Sequence, residues 1–345
     1  MGDYKKTIKL AAVHCAYLDL PENAKSYSKS FNEEAAYQYV QDNIKHTVKW
    51  LNTAGEKGAD LVSTNEDFAA ASTYGRDILH PTLFKEISRK IQPEIEILMA
   101  ATAKKHGMYI TANFIVFEGE TMYNATSLFD REGKIKGLYK KTHPANGERW
   151  HIKKGNAFPV FETDIGKIGI SICYDINFPE VYRCLALNGA DIIVHQTQGW
   201  GSGGLSSCEV GEAFMRVRAA ENNVYFIVAK NMFNEGGRSM ILDNGGNIIA
   251  ESSKQEEQVL IAAITPEFDM IDNYHYDNYY GNVESTKARF LLARSPSLYM
   301  GVINENPPVM ERYKNLRLCD TQDQATEIIQ KFLNLDEETK KKYHW

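Results

Sequence analysis

One segment of the sequence places a thiol where a buried strand meets a turn. In residues 167–183, Ile168, Ile170 and Ile172 alternate with small residues, which predicts a strand buried on both faces. Pro179 then opens an apolar periodic run that is typical of the first turn of a helix. Cys173 lies between the two, where a nucleophile is held by the strand and can receive backbone N–H groups from the turn. A buried cysteine that only packs is the alternative that this segment leaves open.

Two charged residues follow other predicted strands. Glu66 comes after the strand 60–63, and Lys141 comes after the strand 134–139. A thiol nucleophile needs a group that takes its proton, and attack on a carbonyl or nitrile carbon needs a cation or N–H donors where negative charge develops. Glu66 can serve as the general base and Lys141 as the cation. Each residue alone is equally compatible with a solvated loop, because Glu and Lys are mostly exposed.

Strands and helices alternate in parts of the chain and strands pair as hairpins in others, so we predict an α/β fold with two mixed sheets flanked by helices. Helices are predicted at 40–55, at 83–106, from Pro179 to about Asn188, after a capping box at 206–209, and at 323–333. In the second of these, we expect a break at Pro93 that separates a short helix from a longer one. Strands are predicted at 9–14, 60–63, 109–117, 123–129, 134–139, 158–162, 167–173, 191–196, 224–229, 239–242, 247–250 and 258–264.

The composition excludes several classes of protein. The 345 residues are 43% hydrophobic and carry a net charge of -6, which argues against a nucleic-acid or anionic-membrane surface. No segment approaches the apolar length of a signal peptide core or a membrane span, so we expect a cytoplasmic protein. Five widely spaced cysteines without a C-x-x-C pair, and histidines without paired spacing, predict neither a disulfide framework nor a metal site.

A glycine-rich segment, residues 199–204, matches the dinucleotide fingerprint G-x-G-x-x-G after a strand and before a helix. The match lies late in the chain, and the acidic residue at the expected distance, Glu221, falls inside a predicted helix. We therefore do not assign nucleotide binding to this loop. We expect it instead, from Gln196 onward, to line a pocket in which Gln196 and Trp200 could contact a small polar substrate.

Three motifs taken in order resemble the nitrilase superfamily of carbon-nitrogen hydrolases. They are residues 65–68 (NEDF), residues 137–144 (GLYKKTHP) with Glu148 beyond them, and residues 169–180 (GISICYDINFPE). Residues 216–222 resemble the helix that follows the nucleophile in that family, and residues 237–246 resemble its late hairpin. The resemblance covers residues 9–264.

The resemblance implies a four-layer α-β-β-α sandwich that pairs through its helical faces, and hence a homodimer or a higher homo-oligomer. It implies that Glu66 is the general base, Lys141 stabilises the tetrahedral intermediate and Cys173 is the nucleophile. Glu148 would be a supporting carboxylate and the backbone N–H of Tyr174 an oxyanion donor. His143 lies near the expected pocket and could assist in substrate binding. No metal or organic cofactor is required by this chemistry.

The residues after Cys173 bear on the substrate. Cys-Tyr-Asp followed by Phe-Pro-Glu resembles the amidase and carbamoylase branches, whereas nitrile-cleaving members typically carry Cys-Gly-Glu or Cys-Trp-Glu. We therefore expect a small amide or an N-carbamoyl compound as substrate. Two alternatives stay open: a nitrile hydrolase or hydratase that uses the same residues, and a non-catalytic member that serves assembly.

The last part of the chain differs in character from the rest. Tyrosines crowd among Asp, Asn and His at 274–280, and three prolines follow between 296 and 308. We predict a carbon-nitrogen hydrolase domain at 1–272 and a C-terminal extension at 273–345, which packs on that domain or on a partner subunit.

Overall fold

Two six-stranded β-sheets form the centre of the first part of the chain. The computed structural model describes residues 7–75, 77, 79–199, 208–232, 237–265, 286–314 and 327. Sheet 1 contains β1 (Ile8–His14), β2 (Leu61–Ser63), β3 (Tyr109–Glu118), β4 (Thr121–Phe129), β5 (Ile135–Lys140) and β12 (Gln258–Ile264). Sheet 2 contains β6 (Val160–Thr163), β7 (Gly166–Ile172), β8 (Ile192–Thr197), β9 (Tyr225–Lys230), β10 (Met240–Leu242) and β11 (Ile248–Glu251). Each predicted strand lies within two residues of an observed one at both ends.

The strand order brings distant segments to the same edge of each sheet. Sheet 1 has the order β12-β1-β2-β3-β4-β5, and sheet 2 has the order β11-β10-β9-β8-β7-β6. In sheet 1, β2 and β3 are parallel, β3 and β4 are antiparallel, and so are β4 and β5. The carboxyl ends of β2 and β5 therefore meet at one edge together with the beginning of β4. In sheet 2, β7, β8 and β9 are parallel, so their carboxyl ends also share an edge.

Within the part of the chain that the structure describes, four helices cover the outer faces of the two sheets. α1 (Glu33–Glu56) and α2 (Leu83–His106) pack on sheet 1, and α3 (Pro179–Leu187) and α4 (Cys208–Asn222) pack on sheet 2. Asn32 caps α1, because its side chain accepts hydrogen bonds from the backbone N–H groups of Glu34 and Ala35. This arrangement confirms the predicted α-β-β-α sandwich of two mixed sheets.

The inner faces of the sheets are joined by Gln196 of β8. Its Nε2 donates to the backbone carbonyl of Thr64 at 2.9 Å and to that of Thr111 at 3.1 Å, and its Oε1 accepts from the hydroxyl of Thr126. All three partners belong to sheet 1 or to the residue after β2. Because an unpaired buried amide is costly, these bonds fix the spacing of the sheets at the end where the site lies.

The predicted break at Pro93 is wrong, because α2 runs without interruption through this residue. Phe84, Ile87, Ile91, Ile95 and Met99 lie on both sides of Pro93 and are all buried in one cluster. A proline inside a helix costs about 3 kcal/mol relative to alanine, whereas burying each large apolar side chain contributes roughly 1.5–3 kcal/mol. One continuous apolar stripe thus outweighs the missing N–H group.

The chain divides into two compact units, Met1–Pro266 and Glu267–Trp345. In the second unit the structure describes short helical segments only: Thr286–Leu292, Pro296–Leu298, Met300–Ile303 and Pro308–Tyr313. Residues 274–280 lie outside the described residues, and so does the helix predicted at 323–333 apart from Glu327, which is helical. None of the described helices is long and apolar enough to cross a membrane.

Candidate active site

Glu66 lies at the carboxyl end of β2, where the chain turns sharply. The next residue, Asp67, has a φ of 46°, a left-handed conformation that Asp tolerates better than most residues. Glu66 is 3% exposed, and its side chain accepts three hydrogen bonds. Lys141 Nζ and Asn124 Nδ2 donate to Oε1 at 2.9 and 3.0 Å, and the backbone N–H of Gln198 donates to Oε2 at 3.0 Å. Since every one of these groups is a donor, the carboxylate is held in one orientation as an acceptor.

Lys141 follows directly on β5 and is 1% exposed. Its Nζ donates to Glu66 Oε1 at 2.9 Å and to Glu148 Oε2 at 2.7 Å. Burial lowers the pKa of Lys141, but the charges of Glu148 and Glu66 outweigh burial and hold this pKa well above its ordinary value. The buried lysine is therefore a permanent cation. Two of its three N–H groups are used by the two carboxylates.

Glu148 lies in the 3-10 turn Asn146–Trp150. Its Oε2 accepts the hydrogen bond from Lys141 and a second one from the backbone N–H of Ala145 at 2.7 Å, and its Oε1 accepts from Asn124 Nδ2 at 2.7 Å. The Glu148 side chain is 27% exposed, whereas those of Glu66 and Lys141 are almost fully buried. Glu148 thus forms the outer edge of the charged cluster.

Cys173 lies directly after β7, as the sequence predicts. It begins the 3-10 turn Cys173–Asn177 with a φ of 45°, which is uncommon for a residue with a side chain. Such backbone strain persists where the surroundings enforce it, and it concentrates at functional sites. The N–H of Tyr174 lies in the first turn of the same helical segment, where N–H groups have no partner within the helix.

The charged cluster acts on the Cys173 thiol. Burial, and after it the negative charge of Glu66, raises the pKa of the thiol to about 12, against the opposing effects of the Lys141 charge and a hydrogen bond with Thr197. A thiol with this pKa keeps its proton at neutral pH, so it would need a base to act as a nucleophile. The adjoining edges of the two sheets bring together four residues that were selected from the sequence: Glu66, Lys141, Glu148 and Cys173.

Asp175 links the turn after Cys173 to the loop after β5. Its Oδ2 accepts from the backbone N–H of Ile172 at 2.9 Å and from the hydroxyl of Tyr139 at 2.7 Å. Its Oδ1 accepts from the hydroxyl of Thr142 at 3.1 Å and from the backbone N–H of His143 at 3.1 Å. This fully buried carboxylate ties the two chain segments that carry Cys173 and Lys141 to each other.

Asn124 of β4 is a further polar residue of the site that was not predicted from the sequence. Its Nδ2 donates both to Glu66 and to Glu148, and its Oδ1 accepts from Asn113 Nδ2 of β3 at 2.8 Å. The signal that could have found it is the occurrence of asparagine inside two strands whose other residues are mostly apolar or small.

The residues predicted to bind substrate are placed differently from one another. Tyr174 is half-buried, with its ring edge-on to Phe178 at 5.7 Å. His143 is half-buried, stacks on Phe178 at 3.8 Å, and has its Nδ1 2.9 Å from Asp175 Oδ1. Gln196 is fully buried between the sheets with its amide engaged there, so it does not join the charged cluster. Trp200 lies outside the described residues.

The carbon-nitrogen hydrolase family model matches residues 10–268, which is more than half of the chain. The chain belongs to the carbon-nitrogen hydrolase family. The match contains all four residues discussed above, Glu66, Lys141, Glu148 and Cys173. This confirms the resemblance to the nitrilase superfamily and identifies the protein as an enzyme of that family.

The relatives of this carbon-nitrogen hydrolase differ in the bond that their names specify. A nitrilase of Pyrococcus abyssi is 30% identical over 229 residues, which are 64% of this chain and 83% of the relative. A citrullinase of Francisella tularensis is 28% identical over 293 residues, which are 80% of this chain and 96% of the relative.

A solved structure supports the fold independently. It is a mutant of the amidase from Nesterenkonia sp. AN1 with the acetamide moiety of fluoroacetamide added covalently at the active-site cysteine. The two chains are 19% identical, the TM-score is 0.63, and the alignment covers 85% of this chain and 95% of the amidase. At this identity the likeness concerns the fold.

Proposed function

We propose that this protein is a thiol hydrolase that cleaves a non-peptide carbon-nitrogen bond of a small amide or N-carbamoyl compound and releases ammonia. The observation that carries the proposal is the Lys141 ammonium, which donates to both Glu66 and Glu148 in a cluster whose charges act on the Cys173 thiol. Apolar residues of similar volume would stabilise a core at least as well as this buried ionic cluster. Its presence beside a thiol therefore supports catalysis rather than assembly alone.

In the first half of the reaction, Cys173 Sγ attacks the carbonyl carbon while its proton passes to Glu66. The Lys141 ammonium and the Tyr174 N–H stabilise the negative charge on the carbonyl oxygen of the tetrahedral intermediate. When this intermediate collapses, the carbon-nitrogen bond breaks and the proton on Glu66 passes to the leaving nitrogen. Ammonia departs, and the acyl group stays on sulfur as a thioester.

In the second half, Glu66 takes a proton from a water molecule as the water oxygen attacks the thioester carbon. Collapse of the second tetrahedral intermediate breaks the carbon-sulfur bond, and the proton returns from Glu66 to Sγ. Glu148 keeps the Lys141 ammonium in place through both halves, because it holds one of the three N–H groups of the ammonium.

The choice of an amide or N-carbamoyl substrate is supported by the motif that begins at Cys173 and by the citrullinase relative. A mutant of the amidase from Nesterenkonia sp. AN1 carries the acetamide moiety of fluoroacetamide at its active-site cysteine, so the cysteine of that amidase reacts as a nucleophile. The nitrilase relative supports the alternative of nitrile cleavage, in which the thiol attacks a nitrile carbon instead. An assembly role without catalysis is the alternative of another class.

The proposal is tested by measuring ammonia release from primary amides, ω-amides, N-carbamoyl amino acids and nitriles. Wild type and Cys173→Ala are compared, with Cys184→Ala on α3 as the matched control. Release from an amide or N-carbamoyl compound that is lost only in Cys173→Ala supports the proposal, and carbon dioxide released together with ammonia marks an N-carbamoyl substrate. Turnover of nitriles alone supports the alternative, and undiminished turnover in Cys173→Ala contradicts the thiol mechanism.

Two further predictions from the sequence concern the assembly. We propose that the hydrolase domain at 1–272 pairs through its helical faces into a homodimer or larger homo-oligomer. We also propose that the extension at 273–345 packs on its own domain or on the partner subunit. Sedimentation velocity of the full chain tests the first proposal, and the same measurement on a chain ending at residue 272 tests whether the extension contributes to assembly.

A further inference from the structure

Among the described side chains, only those of Lys141 and Asn124 donate hydrogen bonds to both carboxylates of the site, Glu66 and Glu148. Its Nδ2 lies 3.0 Å from Glu66 Oε1 and 2.7 Å from Glu148 Oε1, so each of its two N–H groups serves one carboxylate. The backbone carbonyl of Asn124 also accepts the backbone N–H of Lys141 at 2.9 Å. One residue of β4 thus contacts the general base, the supporting carboxylate and the cation of the proposed mechanism.

The orientation of the Asn124 amide is fixed by its neighbour on β3. Asn113 Nδ2 donates to Asn124 Oδ1 at 2.8 Å, so the oxygen of Asn124 points to β3 and its nitrogen points to the carboxylates. Asn113 is itself oriented, because its Oδ1 accepts the backbone N–H of Asp67 at 2.7 Å. The two asparagines therefore form an ordered chain of donors that ends on the two glutamates.

The consequence concerns the N–H groups of Lys141. The buried carboxylate of Glu66 and the partly exposed one of Glu148 would together draw all three N–H groups of the ammonium toward them, because an ionised carboxylate that is shielded from water needs several donors. Asn124 supplies one donor to each glutamate, and backbone N–H groups of Gln198 and Ala145 supply another. Lys141 then has to give only one N–H to each glutamate, which leaves its third N–H available for the carbonyl oxygen.

We propose that Asn124 is a positioning residue for the reaction, which orients Glu66 and keeps one N–H of Lys141 free for the developing oxyanion. This inference rests on the proposed function for its kinetic consequences. The charged and titratable groups that surround Asn124 are Glu66 after β2, Lys141 after β5 and Glu148 in the 3-10 turn, with Cys173 facing them from sheet 2. Asn113, its neighbour on β3, is uncharged.

The main test is Asn124→Asp, which keeps the shape but replaces two N–H donors with a third carboxylate. We expect kcat to fall at least ~100-fold, the cost of one lost oxyanion donor, while KM changes by less than about 3-fold. The acid limb of kcat/KM should move to higher pH, because a nearby like charge favours protonation of the cluster. Asn43→Asp is the matched control. Asn43 is a buried asparagine of α1, and an aspartate at this position still accepts the hydrogen bond from the Leu18 N–H.

A second variant, at the neighbouring residue Asn113, changes the orientation of the Asn124 amide without replacing Asn124. Asn113→Asp keeps the acceptor for Asp67 N–H but replaces the donor to Asn124 Oδ1 with an oxygen, which favours rotation of the Asn124 amide by half a turn. The Asn124 oxygen would then face the two glutamates. We expect the same pattern of lowered kcat and nearly unchanged KM, so the inference stays testable if Asn124→Asp fails to fold.

A readout without substrate separates this inference from the proposed function. The rate at which iodoacetamide alkylates Cys173, followed by peptide mass spectrometry, should fall at least ~10-fold in Asn124→Asp and stay unchanged in Asn43→Asp. Wild-type alkylation rate and wild-type kcat in both Asn124→Asp and Asn113→Asp would overturn the inference. Slower alkylation in these variants, in a protein that hydrolyses nothing in the substrate panel, would support the positioning role and contradict the proposed function.

Discussion

The hydroxyl of Tyr139, the penultimate residue of β5, donates a hydrogen bond of 2.7 Å to the carboxylate of Asp175, two residues after Cys173. This bond crosses from sheet 1 to the turn that ends β7 in sheet 2. Because Lys141 lies two residues beyond Tyr139, the bond is one of several contacts of Asp175 that hold the segments of Cys173 and Lys141 in position. Both residues are fully buried, so the contact is shielded from water.

The position of Asp175 predicts the outcome of replacing it. Asp175→Asn keeps one acceptor oxygen and replaces the other with an NH2 group. Depending on the orientation of the amide, this group faces either the donors Ile172 N–H and Tyr139 O–H or the donors of Thr142 and His143. Leaving a buried donor unpaired costs about 1–3 kcal/mol. We expect a loss of stability of that size and at least a ~10-fold loss of kcat, since the loop and the turn are no longer tied together.

The comparison variant is Tyr139→Phe, which removes one donor and leaves the other contacts of Asp175 in place. We expect it to be destabilised by about 1 kcal/mol and to keep most of its turnover. Urea unfolding and steady-state kinetics measure both effects. Asp175→Asn with wild-type kcat would show that the tie between the two segments does not matter for turnover.

Adjacent lysines at the end of β5 allow a matched test of the cation. Lys141 is buried between Glu66 and Glu148, whereas Lys140 pairs with Glu118 at the surface. Lys141→Met should lower kcat/KM by roughly 10²–10³-fold, because the proposed donor to the oxyanion is removed and two carboxylates lose their cation. Lys140→Met should change it by less than about 3-fold. Equal effects of the two substitutions on turnover would contradict the assignment of Lys141.

The elements that carry Cys173, Glu66 and Lys141 could be predicted because their signals are local. Alternation of apolar residues identifies β7, and Pro179 identifies the helix after it, so the position of Cys173 at a strand end follows from about a dozen neighbouring residues. The same holds for the ends of β2 and β5. The prediction that these three strand ends meet in one site came from the family resemblance, because no local pattern specifies how two sheets pair.

Asn124 and Asp175 could not be found in this way, because their roles depend on partners that are distant in sequence. Asn124 contacts Glu66 across 58 residues and Glu148 across 24. Gln196 was expected in a pocket, but its contacts with Thr64 and Thr111 depend on which face of β8 meets sheet 1. The alternation of a strand gives two faces without saying which one the partner sheet covers.

Pro93 illustrates a prediction that failed for an energetic reason, and it makes a stability prediction of its own. Its ring nitrogen cannot donate to the backbone carbonyl of Arg89 in α2, and the ring crowds that carbonyl. Since Pro93 is exposed, Pro93→Ala should restore the hydrogen bond without disturbing the core and raise the free energy of unfolding by about 1–3 kcal/mol.

Ile97, another exposed residue of α2, provides the control for this substitution. Ile97→Ala changes a surface side chain without changing the backbone hydrogen bonds, so its effect should stay within about 0.5 kcal/mol. Both variants are compared with wild type by urea unfolding. A Pro93→Ala variant less stable than wild type would mean that the fixed φ of proline stabilises α2 more than the missing bond weakens it.

Asp67, next to Glu66, makes the stability of the protein depend on pH. Its carboxylate accepts from the backbone N–H groups of Ala71 at 3.2 Å and of Ser72 at 2.8 Å. Burial, together with the smaller effect of the Glu66 charge, raises the pKa of Asp67 to about 7 against the opposing effect of the Ser72 hydrogen bonds. The folded protein therefore binds this proton more tightly than the unfolded chain, in which an aspartate has a pKa of about 3.9.

The difference between the pKa of Asp67 in the folded protein and in the unfolded chain determines how stability changes with pH. The contribution of Asp67 to stability is fully present below about pH 4, where both states bind the proton, and it is lost as the pH rises to about 7. Asp67→Asn removes the titration but keeps an acceptor oxygen and the tolerance for a left-handed φ. We expect the free energy of unfolding of Asp67→Asn, relative to wild type, to increase between pH 4 and 7 and to level off above pH 7. Urea unfolding at a series of pH values measures this difference, and a difference that does not change with pH would show that Asp67 does not titrate in this range.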